Sequence, residues 1–460
     1  MPAPVPNAPQ SASTAEAGGG GSVRWRIAVL VSAAIAISYL DRQTLPWALS
    51  EIGKDIPVSN QVKAFLDSAF LITYGLMYLG GGRLLDALGT RRGFTVIMLF
   101  WSLACASHAL AGNHGISSIF GLGLGVVMLA ASRLLLGVGE GGGFPAATRA
   151  VSEWFPVHER STAMGIINAG TAVGAVVAPP LIVFVLTNVT WLGLAPWRWV
   201  FMITGVFGLL WTVWWWFDYQ PPETHPGLGT AERVHLASVL DQPAAAAPPA
   251  ILLSSILRHR ETWAVILAKF LSDGAWYFYL FWLPKFLLEA FNLDLKTAGR
   301  IGWIPYAASG VGCLCGGTLS SWLLRRGASV NASRKLALGA SAALMPWVML
   351  VPQLHSVGWV IFIFSLAFFG QQSWSTLVMI LPTDMIPKRA VGTLAGLVGL
   401  GGAMGGVALG QVVGYLRDHG SSFTPVLLIA GSLHLLAFII ICVGIPRIRT
   451  LDFSPETSSA

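Results

Sequence analysis

The chain has 460 residues, of which 54% are hydrophobic and only 11% are charged, whereas a soluble domain has about 25% charged residues. With 52 glycines and 19 tryptophans, this composition indicates a protein whose solvent is mostly lipid. The net charge of +7 does not indicate a nucleic-acid partner, because the basic residues form short clusters between apolar runs. The four cysteines lie in apolar segments without metal-site spacing, so we predict reduced packing residues at Cys105, Cys313, Cys315 and Cys442.

The chain divides into two long apolar halves joined by a polar, proline-rich segment. Residues 1–23 lack hydrophobic periodicity and are predicted to be a disordered tail, not a signal peptide. Residues 24–218 and 261–446 each contain six apolar runs long enough to cross a bilayer, and residues 219–260 and 447–460 are predicted as a linker and a tail. We therefore predict an all-α membrane protein with twelve transmembrane helices in two six-helix bundles. The spans lie near 27–50, 62–85, 93–112, 117–147, 161–187, 198–218, 262–290, 298–324, 334–352, 357–383, 391–416 and 423–446.

The basic residues of the loops predict which side of the membrane each loop faces. Arginines or lysines follow spans two and four, precede span seven and lie between spans eight and nine. All these loops fall on one side if the N-terminus is cytoplasmic, with Lys54 and Lys63 as minor exceptions. We therefore expect both termini and the linker to be cytoplasmic.

Span one carries three polar residues, Tyr39, Asp41 and Arg42, in the sequence ISYLDRQTLPW. Adjacent helical residues point about 100 degrees apart, so Asp41 and Arg42 are expected to find different partners. The planar guanidinium of Arg42 suits a carboxylate, and the protonation of a buried Asp41 would respond to charges that arrive or leave. A static ion network that packs helices one and four is the alternative.

The loop after span two, GRLLDALGTRR, is the first sharp motif. Gly82 and Gly89 permit a tight turn, and Asp86 can form a charge cluster with Arg91 and Arg92 at a helix end. An ordinary basic loop is the alternative. The motif resembles the G-x-x-x-D-x-x-G-x-R-R sequence of the major facilitator superfamily, with a degenerate echo, GTLSSWLLRRG, in the second half. The resemblance implies pseudo-symmetric bundles with a midplane site, and a loop that latches one access state.

Span four places Arg133 and Glu140 seven residues apart in the sequence RLLLGVGEGGGFP. Seven residues make two helical turns, so both charges point into the same interior and not into lipid. A charge inside the membrane costs roughly 2.5 to 3.5 kcal/mol on insertion scales and usually marks a substrate or proton pathway. The sequence therefore indicates a transporter.

The motifs YLDR and RLLLGVGEGGGFPAA together resemble the anion:cation symporter branch of the superfamily. Further segments, including NAGTAVGAVVAPP, AKFLSDGAWYFYLFWLPKFL and FFGQQSWSTLVMILPTDMIPKRAVGTLAG, look like its bacterial hexuronate transporters. The stretch LGGAMGG lacks the asparagine expected of galactonate-type relatives. The resemblance implies that Arg42 binds the substrate carboxylate and that Asp41 and Glu140 carry protons. It also implies that Arg133 shapes the site or pairs with Glu140.

Uncharged groups on several spans offer hydroxyls, amides and aromatic faces to a sugar. Each could instead bond between helices. Lys269 and Asp273 are four residues apart and could neutralise each other, while His108 and His434 are expected to pack or to end helices. Asp384, where span ten should meet the cytoplasm, is assigned as a further latch residue. With Tyr39, the candidate substrate-binding residues are Tyr74, Asn168, Thr171, Tyr277, Tyr279, Gln371, Gln372 and Trp374.

The glycine runs lie inside apolar spans, without the preceding strand or the following lysine of a phosphate loop. No metal or nucleotide motif competes, so we expect no cofactor and a proton as the coupling ion. The sequence favours a monomeric proton-coupled importer of a sugar-acid anion, a hexuronate, in a bacterial inner membrane. The alternatives are a carrier of another organic anion such as an aldonate or glucarate, a membrane anion sensor, or a drug exporter.

Overall fold

The computed structural model describes residues 23–112, 122–156, 159–240 and 253–451, which are mostly helical and contain no extended strand. The tail predicted to be disordered lies outside the described residues except for Val23. Parts of the predicted linker and of the C-terminal tail also lie outside them. An all-α protein is therefore confirmed for the described residues.

Fifteen α-helices occur in the described chain, and the predicted spans coincide with single helices, with parts of α2 or with consecutive short helices. Three short 3₁₀ segments, at His108–Leu110, Trp191–Gly193 and Pro346–Gln353, accompany them. The α-helices are α1 Val23–Asp55, α2 Asn60–Ser107, α3 Leu124–Gly141, α4 Gly143–Trp154, α5 Arg160–Asn188, α6 Pro196–Asp218, α7 Thr230–Leu240, α8 Leu253–Leu257, α9 Arg260–Ala290, α10 Leu295–Gly302, α11 Ile304–Arg325, α12 Val330–Ala342, α13 Val357–Met385, α14 Lys388–Asp418 and α15 Thr424–Gly444.

Eleven stretches of the described residues are long and apolar enough to cross a membrane, one fewer than the twelve expected spans. The remaining expected span, 62–85, is helical as the first part of α2. α2 runs on into the third expected span through Gly89, whose φ of 74° is left-handed and breaks the helix there. Only glycine adopts that conformation without strain, which explains the glycine in the loop motif.

The helices pack in two groups that follow the two halves of the sequence. In the first half α1 packs on α5, and α2 packs on α3 and α6. In the second half α11 packs on α13, and α9 packs on α14 and α15. The groups meet mainly where α2 lies against α14 and where α5 lies against α11. Side chains of α1, α2, α9 and α14 thus share the interior between the halves.

The predicted linker contains a helix, α7, that is tied to the first half. Glu232 of α7 accepts hydrogen bonds from the backbone N–H groups of Val23 (3.0 Å) and Arg24 (3.1 Å) at the start of α1. The Arg24 side chain bonds Glu232 (3.1 Å) and Glu159 (2.8 Å). These carboxylates sit at the helix N-terminus, where negative charge is favourable.

The halves also meet at the end of the bundle where α1 leads into α2, which we call the closed end. Asp418, the last residue of α14, accepts hydrogen bonds from the backbone N–H groups of Asn60 (2.9 Å) and Gln61 (2.8 Å). It also accepts one from the Asn60 side-chain amide (2.8 Å). The first N–H groups of a helix have no partner within it. A carboxylate of the second half therefore accepts the hydrogen bonds of the first N–H groups of a helix in the first half.

Candidate functional site

Eight buried residues of the described interior are aspartate, glutamate, lysine or arginine, and the acids and the bases are equal in number. Four are cationic, four are carboxylic acids, and none exceeds 7% exposure. They are Arg42, Lys63, Arg133 and Lys269, with Asp41, Asp67, Glu140 and Asp273. Moving even one such ion out of water costs several kcal/mol, so each must have a partner, a ligand or a proton.

Arg42 and Glu140 form an ion pair between α1 and α3. The Arg42 Nε lies 2.7 Å from Glu140 Oε2, and both side chains are almost fully buried. Ser38, one helical turn before Arg42, donates its hydroxyl to the same oxygen at 2.7 Å. The other oxygen of Glu140 has no hydrogen-bond partner in the described structure. One side of this carboxylate is thus held firmly and the other is left unsatisfied.

Aromatic rings surround the Arg42 guanidinium. Its central carbon lies 4.7 Å from the Tyr39 ring centroid and 4.4 Å from that of Tyr74. Phe70 is farther away, at 5.6 Å. Cation–π contact of this kind stabilises a desolvated cation. The rings also fix the plane of the guanidinium, so its free donors have a defined direction.

Asp41 has a different partner from Arg42, as the helical geometry predicted. Its Oδ2 accepts a hydrogen bond of 2.6 Å from the indole Nε1 of Trp101 on α2. Its Oδ1 has no hydrogen-bond partner among the described residues. Trp101 reaches this position because Gly139 of α3 leaves it room: a Cβ at Gly139 would meet the Trp101 Cβ at 2.7 Å. The glycines beside Glu140 therefore serve close helix packing.

Arg133 does not pair with Glu140, which the sequence had left open. Its Nε and Nη2 are buried without hydrogen-bond partners in the described structure, and its guanidinium carbon lies 5.9 Å from the Phe70 ring centroid. Arg42 and Arg133 thus both lie near the Phe70 ring. A buried guanidinium with unpaired donors is costly, and an anionic ligand would satisfy it.

A second polar cluster belongs to the other half of the chain. Lys269 Nζ donates to Asp273 Oδ1 (2.9 Å) and to Ser375 Oγ (2.8 Å). Gln371 Nε2 lies 3.4 Å from the same Asp273 oxygen, and the Gln371 oxygen is hydrogen-bonded to His434. The cluster links α9, α13 and α15. Both ends of the Gln371 amide are therefore engaged within the protein.

The structure places the remaining predicted sugar-binding residues in different environments. Tyr277 lies between the halves, close to Gly406 of α14 and Leu71 of α2. Tyr279 is instead 1% exposed among Phe278, Phe364 and Phe368, and Trp374 is fully buried against His434. Gln372 is half-buried on α13. Asn168 and Thr171 are half-buried on α5 beside Ala172, which faces Gly310 of α11.

The predicted latch residues lie in two separate places. Asp86 pairs with Arg149 of α4, and Arg91 donates to the Trp216 carbonyl at 2.5 Å. Gly82 and Gly89 belong to the same loop segment of α2, and Arg92 is exposed. In the second half, Asp384 pairs with Arg334 at 2.9 Å. Each half thus has a carboxylate–arginine pair that joins two of its helices, α2 with α4 and α12 with α13.

Four interior contacts escaped the sequence reasoning. They are the Ser38 bond to Glu140, the Trp101 bond to Asp41, the bond from Tyr306 to Gln43 (3.1 Å) across the halves, and the Lys63–Asp67 pair (2.5 Å). The Lys63 ammonium also lies 4.2 Å from the Trp282 ring centroid. Only the i,i+4 spacing of Lys63 and Asp67 offered a signal. The described residues contain no group of side chains that could hold a metal ion.

Apolar helices long enough to cross a membrane, with ionisable side chains buried among them, are typical of a membrane transport protein. Residues 31–410 match the Major Facilitator Superfamily. The chain therefore belongs to that superfamily, and it is a multi-pass membrane transporter, not an enzyme.

Similar proteins confirm the resemblance to hexuronate carriers. The chain is 28% identical to the hexuronate transporter of Escherichia coli K12, over 95% of this chain and 97% of that protein. It is 32% identical to the galacturonate transporter of Dickeya chrysanthemi, over 70% of this chain and 89% of that protein. Identity to a probable galactarate/D-glucarate transporter of Escherichia coli K12 is 28%, over 93% of this chain and 96% of that protein.

Solved structures share the fold at low sequence identity. The inward-open xylose transporter of E. coli aligns with a TM-score of 0.68 and 14% identity, over 95% of this chain and 97% of that chain. An inward-facing bacterial homologue of the human lysosomal transporter Spinster gives a TM-score of 0.67 and 16% identity, over 93% of this chain and 96% of that chain. These likenesses show the major facilitator fold.

Proposed function

We propose that the protein imports a sugar-acid anion, most like a hexuronate, by proton symport with alternating access. The named substrates of its relatives support the substrate class, and the buried charges between the halves support an anion site. The observation that carries the proposal is the Arg42–Glu140 pair at 2.7 Å within an aromatic surround. It joins the cation that would bind the substrate to an acid that would carry a proton.

Coupling follows from competition for Arg42. While Glu140 is ionised, its carboxylate occupies the guanidinium. A proton taken up by Glu140 weakens that bond, because a neutral carboxyl is a poorer acceptor for a guanidinium than a carboxylate is. The substrate carboxylate then replaces Glu140 at Arg42. Release of the proton restores the internal pair and expels the anion.

Asp41 is the second proposed proton carrier. It is fully buried, and its Oδ1 has no hydrogen-bond partner in the described structure. A neutral carboxyl costs less in such a place than an ionised one. The Trp101 donor at 2.6 Å supports the charged form. The two influences oppose each other, so a change in nearby charge can switch its protonation.

Sugar recognition is proposed for the polar groups that face the space between the halves. Tyr74 of α2 lies beside Arg42, and Tyr277 of α9 lies near Gly406 of α14 and Leu71 of α2. Asn168, Thr171 and Gln372 lie half-buried on their helices. Arg133 supplies unsatisfied donors beside this group. Sugar hydroxyls stripped of water need such partners.

For the whole molecule, we propose two domains, at 24–218 and 261–446, that rock about the central site. Asp86 with Arg149, and Asp384 with Arg334, would stabilise one access state. Both termini and the linker would be cytoplasmic, in the inner membrane of a bacterial cell, and the protein would work as a monomer. The closed end would then face the periplasm.

The proposal is tested by uptake into proteoliposomes with an imposed pH gradient. Radiolabelled glucuronate should accumulate when the outside is acidic, and a protonophore should abolish that accumulation. Unlabelled glucuronate and galacturonate should compete, whereas glucose and lactate should not, because glucose leaves Arg42 unpaired and lactate leaves the amides unpaired. Equal competition by glucose would refute the anion site. Accumulation independent of pH would refute the coupling.

A further inference from the structure

One buried ion pair has no part in the proposed coupling: Lys269 and Asp273 on α9. Both are at most 7% exposed, and their 2.9 Å contact is reinforced by Ser375 and Gln371. Both residues lie on one helix, and apolar residues of similar volume are often at least as stable as such a buried pair. Its retention within the second half calls for a reason beyond packing.

The pair faces the interior between the halves, not the lipid. Asp273 Oδ2 lies against the bare backbone of Gly402 on α14, where a Cβ would come within 2.2 Å of it. Along the same face of α14, Gly399 adjoins Tyr78 of α2, and Gly406 adjoins Tyr277. Its carboxylate therefore belongs to a wall formed by α9 and α14 that faces α2, the helix whose Tyr74 contacts Arg42.

We propose that Asp273, fixed by Lys269 and by the space at Gly402, is a specificity-determining carboxylate that disfavours sugar acids with a second carboxylate. This inference rests on the proposed function and narrows its substrate class to monoanions. A monocarboxylate whose charge pairs with Arg42 presents hydroxyls to this wall, and the Lys269–Asp273 pair offers them a donor and an acceptor. A dicarboxylate of the same length brings a second negative charge towards Asp273.

Two features make that second charge unfavourable. Lys269 already donates to Asp273 and Ser375, so a ligand carboxylate that approached the ammonium would lie beside the Asp273 carboxylate. Arg133, the cation with unpaired donors, belongs to the first half with Arg42, whereas the buried cation of the second half among the described residues is Lys269, which is already paired. Repulsive elements of this kind commonly set specificity.

The test compares glucuronate with glucarate, which has the same number of carbons and two carboxylates ionised at neutral pH. Their inhibition constants are measured against labelled glucuronate in proteoliposomes, and their binding is measured by thermal shift of the purified protein. In the wild type, glucarate should bind more weakly. Asp273→Asn removes the negative charge at nearly constant size. It should reduce the ratio of the glucarate inhibition constant to the glucuronate inhibition constant by about tenfold or more.

Two further variants test whether the position and charge of Asp273 set the ratio of inhibition constants. Ser375→Ala removes the other partner of Lys269 but keeps the Asp273 charge, so its ratio of inhibition constants should match the wild type. Gly402→Ala should displace the Asp273 carboxylate from its place, since the added carbon would lie 2.2 Å from Oδ2. Gly402→Ala should therefore also reduce the ratio of the two inhibition constants, even if Asp273→Asn fails to fold.

The outcomes separate this inference from the function on which it rests. If the wild type binds glucarate as well as glucuronate, or if neither Asp273→Asn nor Gly402→Ala changes the ratio, the specificity role is refuted while sugar-acid transport stands. If the wild type binds neither acid, the proposed function fails and this inference fails with it.

Discussion

Glu140 and Asp41 share an arrangement that suits proton transfer. Each buried carboxylate has one oxygen held by a donor, from Arg42 and Ser38 or from Trp101. In each, the other oxygen is left without a partner in the described structure. A permanently ionised structural carboxylate would be expected to have both oxygens satisfied. Because only one oxygen of each carboxylate is hydrogen-bonded, the other oxygen is available to take up a proton.

Neutral replacements of these two acids should uncouple transport. Asp41→Asn and Glu140→Gln cannot carry a titrating proton, so each should abolish pH-driven accumulation while exchange of labelled for unlabelled substrate persists. Counterflow and gradient-driven uptake are measured on the same proteoliposomes. Wild-type accumulation by both variants would show that neither acid is an obligatory proton carrier.

Arg42→Lys should impair transport severely although it keeps the positive charge. A lysine ammonium cannot reproduce the planar fork that fits a carboxylate, nor stack between Tyr39 and Tyr74 as the guanidinium does. Loss of a charge-assisted bond costs about 1.5 to 3 kcal/mol, so substrate affinity should fall by more than about tenfold. Direct binding by calorimetry measures this. Arg326→Lys, on an exposed loop, is the control and should bind normally.

At the scale of secondary-structure elements, α2 contacts the candidate site, the other helices of its own half and the second half. It packs on α3 and α6 within its own half and on α14 of the other half. It carries Tyr74 and Trp101 of the site, and its first turn receives Asp418. A movement of α2 relative to α14 would therefore change the closed end and the site together.

The Lys63–Asp67 pair of α2 should behave as a buried pair, not as a surface one. Asp67→Asn leaves the fully buried Lys63 ammonium without its ionic partner, which should destabilise the fold by about 3 to 5 kcal/mol. The double change Lys63→Met with Asp67→Leu removes both charges and should recover most of that loss. Thermal unfolding in detergent measures both. A double variant as unstable as the single one would contradict this account.

Asp418→Ala should loosen the closed end. The change removes the acceptor for the Asn60 and Gln61 N–H groups, whose bonds join the two halves. A cysteine at Ser68, 5% exposed and bonded to Gln411 of α14, should then react faster with a membrane-impermeant maleimide in a background without the native cysteines. Ser59→Ala also removes an acceptor at the start of α2, but from within its own half. This control should leave the labelling rate unchanged, and equal rates in Asp418→Ala and the parent would refute the role of Asp418 at the closed end.

At the scale of the whole molecule, the two halves differ in the number of buried ionisable side chains. Among the described residues, the first half supplies six, Asp41, Arg42, Lys63, Asp67, Arg133 and Glu140, and the second half supplies Lys269 and Asp273. The linker helix α7 is bound to the first half through Glu232 and Arg24. We therefore expect the first half to perform the ion chemistry and the second half to select the cargo.

Topology is tested by labelling from outside intact cells. A cysteine at Thr230, exposed at the start of α7, should be unreactive to an impermeant maleimide until the membrane is opened, because the linker is expected to be cytoplasmic. A cysteine at Lys54, exposed near the closed end, should react in intact cells. The reverse pattern would overturn the proposed orientation.

The amino-acid sequence by itself determined the helical class, the span positions and the residues with costly charges. Hydrophobic runs and a charge deficit are local properties, and a seven-residue offset such as that of Arg133 and Glu140 depends only on helix geometry. The same geometry correctly predicted different partners for Asp41 and Arg42. It could not identify those partners, because Trp101 and Glu140 are far away along the chain and only tertiary packing brings them close.

The tertiary structure alone decided which polar residues share the interior. Tyr277 and Tyr279 are two residues apart, yet one lies between the halves and the other among phenylalanines, since successive positions face different helices. Gln371 carries the right chemistry for a sugar, but His434 and Asp273 already engage its amide. In the sequence, Gly402 and its neighbouring glycines indicate only that no side chain is present. The structure shows that Asp273 of α9 fills the space beside Gly402, and this contact depends on two helices that are far apart along the chain.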